Sequence, residues 1–299
     1  MTLRDMGLAL MVIAIWGINF STAKAGVAEI PPLLMTTLRF MGVALLLLPF
    51  VRMPRGRMGA IVGVSITLGG LHFGLMFGAL PYVPSSTASV VIQLEVPISA
   101  VLAWMVDRER LGWQGVLGLA VSFCGVLLIA GQPDLTGSLP ALGVVLLAGT
   151  AWAVANLQIK RLSGVDPLAL SAWTALFAAP QLAAASWLLE DGQLDALANA
   201  GWRGWGALAY MIVFSTIVAY TLWYKLVGRY GVSRTVPWVL LVPVFGVLGG
   251  VYLLGEPLGW ELLAGGVLVV GGVAVVVIRP GTPAPAPAAH GGEAGPRRR

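Results

Sequence analysis

A carboxylate stands inside a stretch of sequence that is otherwise apolar. Glu95 lies between Gln93 and Pro97, at the head of an apolar run that continues to Asp107. On insertion scales a carboxylate within a bilayer costs roughly 2.5–3.5 kcal/mol, so it needs a partner, a proton or a water-filled cavity. Pro97 also removes a backbone donor from the same turn. Three roles are open for Glu95: a proton-coupling site, a ligand for an amino group, or a structural acid satisfied by its neighbours.

A guanidinium is predicted inside a second apolar stretch. Arg39 lies too deep in that stretch for its side chain to extend easily to the membrane interface. Guanidinium groups bind carboxylates through two parallel hydrogen bonds. Arg39 is therefore a candidate to bind a substrate carboxylate or to pair with Glu95. The alternative is an arginine that only packs the second helix.

Aromatic and amide side chains recur around these charges. Phe73 and Phe77 share one helical stripe beside His72, and a shift of 147 residues carries them onto Tyr220 and Tyr224. Paired aromatic walls would form an apolar pocket with hydroxyl groups, whereas the alternative is aromatic packing or contact with lipid. The Asn and Gln side chains could line this pocket or could equally hold helices together. The remaining candidates for lining a cavity are Trp16, Asn19, Gln93, Trp152, Asn156 and Trp238.

Several other kinds of chemistry find no support in the sequence. One Cys and two His provide no basis for a metal cluster, and no phosphate-binding loop or Ser/His/Asp set is present. The net charge of +5 does not indicate nucleic acid, because the basic residues lie in short connections and form no stripe. We therefore predict no metal, no cofactor, no nucleic acid and no enzymatic activity.

The composition predicts an all-α membrane protein. The 299 residues are 58% hydrophobic and 10% charged, with a mean hydropathy of +0.88. A water-soluble domain with this balance could not cover its surface with polar groups. Runs of about 20 apolar residues, each long enough to cross a bilayer as a helix, recur along the chain. We place ten spans at 4–26, 31–51, 58–79, 84–106, 112–131, 139–161, 167–189, 204–228, 232–254 and 259–278.

Charge in the connections predicts the orientation. With the N-terminus inside, fifteen of the 18 Lys and Arg residues lie on the cytoplasmic side, while Lys24 and Arg203 lie outside. Cytoplasmic loops of membrane proteins carry such an excess of positive charge. We therefore predict that both the N- and C-termini are cytoplasmic.

The two halves of the chain resemble each other. The matching positions are Trp16 with Trp152, Pro97 with Pro243, and Glu109 with Glu256. Each half has five spans, an odd number, so the second half enters the membrane from the opposite side. Such inverted-topology repeats are typical of alternating-access transporters, with a site near the midplane between the halves. We predict a first repeat at 1–131, an external linker at 132–138, a second repeat at 139–278 and a disordered cytoplasmic tail at 279–299.

Short motifs in both halves resemble those of a known group of transporters. The motifs are Trp16-Gly-Ile-Asn-Phe20, the stretch from Pro31 to Phe40, and the Glu-Arg-Leu that begins at Glu109. In their order and repetition they resemble the drug/metabolite transporter superfamily, specifically ten-helix exporters with two EamA domains. This resemblance implies export of amino acids and metabolites through the bacterial inner membrane. Cysteine-pathway metabolites and neutral or aromatic amino acids are the competing substrates.

These inferences combine into one expected function with two alternatives. We expect a secondary transporter that exports neutral or aromatic amino acids or cysteine-pathway metabolites by alternating access. Its surroundings are the lipid bilayer, and protons are a candidate coupling ion. A multidrug or cation efflux pump on the same fold, with Glu95 as counter-ion, is one alternative. A membrane-embedded enzyme is the other, although its polar groups would be expected to cluster near one interface.

Overall fold

Ten helices long and apolar enough to cross a membrane form the protein, as the sequence predicts. The computed structural model describes residues 1–107, 112–131, 138–162, 164–230 and 235–277, and no strand occurs within these ranges. The helices are α1 (Leu3–Val27), α2 (Pro32–Phe50), α3 (Met58–Ala79), α4 (Ser85–Val106), α5 (Trp113–Ala130), α6 (Leu139–Lys160), α7 (Pro167–Leu189), α8 (Trp202–Val227), α9 (Pro237–Leu254) and α10 (Trp260–Val277). The predicted tail, and the predicted linker apart from Ser138, lie outside the described residues.

Sequence signals explain most of the helix ends. Proline at the first helical positions of α2 and α7 needs no hydrogen-bond acceptor there, because the first backbone donors of a helix are free. The Asp166 side chain accepts from the backbone N of Ala169 at 2.8 Å and so caps α7. Gly255 ends α9 with a φ of +68°, a left-handed conformation that suits glycine.

α2 ends in a 3₁₀ turn at Leu48–Phe50. Four other spanning helices depart from regular α geometry within their length, in two pairs related by the repeat. α3 contains a π-helical stretch at Ser65–Phe73, and α8 contains one at Met211–Val218. α4 contains a 3₁₀ turn at Ile92–Leu94, and the first part of α9 lies in the 3₁₀ segment Val236–Leu241. π-helical stretches are frequent at functional sites, and 3₁₀ stretches within a helix often mark a hinge. Both kinds of irregularity face the centre of the molecule here.

The main helix pairs join the two halves of the chain. α1 packs against α8 and α9, α2 against α7, α5 against α10, and α6 against α3 and α4. Glycines permit the closest approach, between α5 and α10: a Cβ added at Gly125 would lie 2.6 Å from the carbonyl oxygen of Gly265. The α5–α10 pair therefore forms a tightly packed unit, while seven of the other eight helices line the cavity between the halves.

Candidate functional site

A central cavity of about 400 Å³ lies among α1, α2, α3, α4, α6, α8 and α9. Both halves of the chain contribute to its wall. Eleven of the thirteen side chains predicted from the sequence line it: Trp16, Asn19, Arg39, His72, Phe73, Phe77, Gln93, Glu95, Trp152, Asn156 and Tyr220. Trp238 does not belong to the lining, and the side chain of Tyr224 lies outside the described part of the chain.

Arg39 is held in the cavity wall by aromatic faces and one hydroxyl group. Its guanidinium carbon lies 4.8 Å from the ring centroid of Phe73 and 5.7 Å from that of Phe77. Its Nη2 donates to the Thr216 hydroxyl at 3.2 Å. The side chain is buried, and its Nε and Nη1 have no hydrogen-bond partner among the described residues. Two strong donors of a buried cation thus remain available to an anionic group.

Glu95 lies in the same wall but does not pair with Arg39. No hydrogen bond or ion pair to the Glu95 carboxylate occurs within the described ranges, so the predicted alternative of an Arg39–Glu95 pair is not realised in this structure. Gly149 of α6 lies beside the acid: a Cβ added there would be in ordinary van der Waals contact with the Glu95 Cβ, at 3.6 Å. The cavity therefore holds an acid and a guanidinium that do not neutralise each other by direct contact.

Aromatic rings in tilted and edge-to-face contact form the two sides of the cavity. In one cluster the Trp16 ring centroid lies 5.2 Å from that of Tyr220 and 5.3 Å from that of Trp223. In the other, His72 lies 4.8 Å from the Trp152 ring, and its Nδ1 is 2.9 Å from the carbonyl oxygen of Ala148. Trp16 and Trp152 are the pair matched by the repeat, and Trp223 adds a second indole from the second half.

The π-helical stretch of α8 turns backbone and hydroxyl groups toward the cavity. Thr216 Oγ1 donates to the carbonyl of Met211 at 2.8 Å, five residues back, and accepts from Arg39. The carbonyl of Ser215 accepts from Trp16 Nε1 at 3.1 Å. Sequence reasoning missed Ser215 and Trp223 as lining residues. Their place depends on a shift in helix phase that regular helical spacing does not predict.

The intramembrane amides divide between the two predicted roles. Gln93 lines the cavity and also donates from Nε2 to the carbonyl of Val239 at 3.2 Å, so it links α4 to α9. Gln158 accepts from Thr67 Oγ1 at 2.7 Å and holds α6 to α3. Asn19 Oδ1 is a buried acceptor with no partner among the described residues. Asn19 therefore offers an acceptor in the same wall that offers the Arg39 donors.

The described residues contain no group of three or more His, Cys, Asp or Glu side chains that could hold a metal ion. The side chains that line the cavity offer groups for binding a small molecule. Aromatic rings provide an apolar enclosure, Arg39 attracts an anionic group, and Glu95 with Asn19 can accept hydrogen bonds. Such a cavity suits a small molecule that carries charged groups of both signs on an apolar body.

Comparisons with known proteins place this chain among transporters. The model of the EamA-like transporter family matches residues 5–131 and again 139–278. A "Probable amino-acid metabolite efflux pump" of Salmonella typhimurium is 33% identical over 287 residues, which cover 93% of this chain and 96% of that protein. An "Uncharacterized inner membrane transporter" of Escherichia coli is 26% identical, with 88% and 87% covered.

A solved structure shares the fold. One crystal structure superposes with a TM-score of 0.62 at 19% sequence identity and covers 91% of this chain and 96% of its own. At that identity the likeness concerns the arrangement of the helices alone. The two matches to the family model coincide with the two five-helix halves seen here.

Proposed function

The chain belongs to the EamA-like transporter family, and from that membership we propose that it exports amino acids and related metabolites by alternating access through its central cavity. It is a multi-pass protein of the inner membrane, and it is a transporter, not an enzyme. Its relatives named as amino-acid metabolite efflux pumps support a metabolite exporter. Whether it carries neutral or aromatic amino acids or cysteine-pathway metabolites is the finer part of the proposal.

The observation that carries the proposal is the pairing of opposite polarities within one aromatic cavity. Arg39 provides two unpartnered donors for the carboxylate of an amino acid. Glu95 and Asn19 provide acceptors for an ammonium group. Trp16, Tyr220 and their neighbours enclose the side chain of the substrate. A volume of about 400 Å³ is of the size that encloses one such molecule.

A cation efflux pump is less well supported by this cavity. Glu95 would serve as its counter-ion, but the buried Arg39 guanidinium lines the same space and would repel a permanently cationic drug. Protons are the proposed coupling ion, with Glu95 as the proposed site. A preference for cationic dyes over zwitterions would favour the cation pump instead.

The test is efflux of preloaded labelled phenylalanine and O-acetylserine from proteoliposomes, with and without a pH gradient. We expect efflux of at least one of the two. We expect Tyr220→Ala to lower its initial rate by about three- to tenfold, since an aromatic contact contributes roughly 0.5–1.5 kcal/mol beyond burial. Tyr252→Ala is the matched control, because Tyr252 is 80% exposed and lies outside the cavity.

The coupling test uses the same vesicles. If efflux depends on the pH gradient, we expect Glu95→Gln to remove that dependence, because the amide does not ionise and so cannot take up and release a proton. Gradient-independent efflux would leave Glu95 as a ligand in a facilitator. If Glu95→Gln and Tyr220→Ala both transport like the wild type, the proposed site is wrong. If neither amino acid leaves the vesicles, the proposed substrates are wrong.

A further inference from the structure

The repeat-related helices α4 and α9 meet at one end and separate at the other. In one half of the membrane the segment Ser85–Val91 of α4 lies against residues 246–250 of α9, a contact that we call the outer seam. Its residues are small: a Cβ added at Gly246 would lie 2.4 Å from the Ser89 Cβ, and one added at Gly250 would lie 3.0 Å from the Ser86 Cβ. The predicted orientation places this seam on the external side.

Beyond the seam the two helices diverge around the central cavity. The second part of α4, Glu95–Asp107, packs mainly against α6. The divergence begins at the two 3₁₀ segments, where the Gln93 amide contacts the carbonyl of Val239. Pro243 has no N–H to donate to the Val239 carbonyl. That carbonyl accepts instead from the Val242 backbone N–H and from Gln93 Nε2. This contact lies where a pivot between α4 and α9 is expected.

A carboxylate closes the far end of the seam. After the left-handed Gly255, the backbone N of Glu256 donates to the carbonyl of Gly250 at 3.0 Å, which directs the side chain back over α9. Glu256 Oε1 accepts from the backbone N of Ser85 at 2.6 Å. Its Oε2 accepts from the backbone N of Ser86 at 2.9 Å and from the Ser86 hydroxyl at 2.6 Å. The acid of one repeat thus caps the positive end of a helix in the other.

The seam separates two cavities that lie back to back. Ala23 and Leu80 line the central cavity, while their chain neighbours Lys24 and Pro81 line a second cavity of about 530 Å³ that also touches Glu256. Across the partition, Lys24 Nζ donates to the carbonyl of Val83, and the Ser21 and Ser85 hydroxyls are 3.2 Å apart. Opening the outer seam would therefore connect the central cavity to this second cavity on the external side.

We propose that the Glu256 cap on α4 holds the external gate of the transporter shut, and that export requires this cap to break. The proposal rests on the transport function proposed above for the mechanism, but the contact itself is independent of the substrate. Breaking it exposes two backbone donors at the external surface, where water can replace the carboxylate. The cap therefore stabilises the closed seam, and it can break because water then satisfies the two donors.

A second carboxylate of the same kind distinguishes a gate from an ordinary cap. Glu190 accepts from the backbone N of Leu33 at 2.7 Å and of Leu34 at 3.0 Å, and so caps α2 from the end of α7. α2 and α7 form one of the most extensive helix contacts in the molecule. The central cavity separates α4 from α9 beyond the seam, but it does not separate α2 from α7. Loss of the Glu190 cap should therefore weaken a static contact without opening a path.

The experiment measures access to a cysteine placed within the seam. In a Cys124→Ser background, Ser89→Cys puts a thiol at a fully buried position of the seam. The full-length protein in nanodiscs is treated with a water-soluble methanethiosulfonate. We expect Glu256→Gln, which keeps the shape and removes the charge, to raise the labelling rate about tenfold or more, the factor that corresponds to losing one hydrogen bond to a charged group. Glu190→Gln should leave the rate unchanged.

The outcomes separate a gate from general loosening of the helix bundle. Equal rates for wild type and Glu256→Gln would overturn the proposal, and so would an equal rise for Glu190→Gln, which would indicate such loosening. Should Glu256→Gln fail to fold, Ser86→Ala removes only the 2.6 Å hydroxyl contact and is expected to raise the rate in the same direction. Because labelling needs no substrate, a wrong substrate in the efflux test leaves this result unaffected.

Discussion

At the residue scale, the most unusual group is the buried guanidinium of Arg39, which has no acid beside it among the described residues. Arg39 is 3% exposed, and its described contacts are two aromatic rings and a threonine hydroxyl. Hydrogen-bond donors left unpaired in a buried position cost free energy, so such a group is expected to have a function that offsets this cost. A substrate carboxylate would pair both free nitrogens, whereas a structural role would be served equally well by any cation of similar length.

This distinction gives a prediction for Arg39→Lys. The change keeps the charge but removes the planar fork and the separate donors that contact Thr216 and the cavity. We expect the efflux rate of a carboxylate substrate to fall about tenfold, the loss of one charged hydrogen bond, while insertion and monodispersity stay normal. Arg57→Lys, at an exposed loop position, is the control. Wild-type efflux by Arg39→Lys would show that the fork binds no substrate.

At the element scale, two neighbouring glycines show how closely α5 and α10 pack. A Cβ added at Gly272 would lie 2.4 Å from the Ser122 hydroxyl and 2.5 Å from the carbonyl oxygen of Gly118. A Cβ added at Gly271 would meet nothing within 4 Å. Both substitutions by alanine bring the same gain in helix propensity, about 1 kcal/mol. Only the alanine at position 272 forces α5 and α10 apart.

We therefore expect opposite effects of Gly271→Ala and Gly272→Ala on thermal stability. Gly272→Ala should lower the apparent melting temperature, because overpacking typically costs about 1–3 kcal/mol, more than the propensity gain. Gly271→Ala should leave it unchanged or raise it slightly. The measurement is thermal unfolding of the purified protein in one detergent, followed by size-exclusion fluorescence. A similar decrease for both variants would mean that α5 and α10 do not approach as closely as described.

The elements themselves were largely predictable, because each span is an apolar run bounded by proline, glycine or charge. The predicted span 84–106 corresponds to Ser85–Val106, and the predicted span 232–254 corresponds to Pro237–Leu254, with residues 231–234 outside the described ranges. The cavity could be anticipated where both repeats carry the same signal, as at Trp16 and Trp152. The π-helical phase of α8 could not, because the local sequence of Met211–Val218 is simply apolar.

The carboxylate caps were equally beyond prediction. Glu256 and Ser85 are 171 residues apart in the chain, and no local pattern connects an acid in one loop to the first turn of a distant helix. In the sequence Glu256 stands out only as one half of a repeated pair, without a role. The contact depends on how the two repeats pack, which is a property of the whole fold. Whether Arg39 pairs with Glu95 or faces a substrate was left open by the sequence for the same reason.

At the scale of the whole molecule, the closed seam and the divergent ends of α4 and α9 correspond to one state of the proposed transport cycle. The cavity is closed at the end that carries Glu256. On its other side the wall includes Asn156, which is exposed and lies one turn before Lys160, at the end of α6. The predicted orientation makes that end cytoplasmic. For an exporter, this is the state in which substrate is loaded.

The predicted orientation and the proposed inward-open state together predict from which side of the membrane a thiol at the cavity mouth can be labelled. In the Cys124→Ser background, Asn156→Cys should react with a membrane-impermeant maleimide in inside-out vesicles and not in right-side-out vesicles, because water enters the cavity only from the cytoplasmic side. A bound substrate should slow the reaction. Leu147→Cys is the control: it lies on the same helix and is 59% exposed, but it is absent from the cavity wall and should stay unlabelled in hydrocarbon. Labelling only in right-side-out vesicles would reverse the orientation, and labelling in neither preparation would mean that the cavity is closed on both sides.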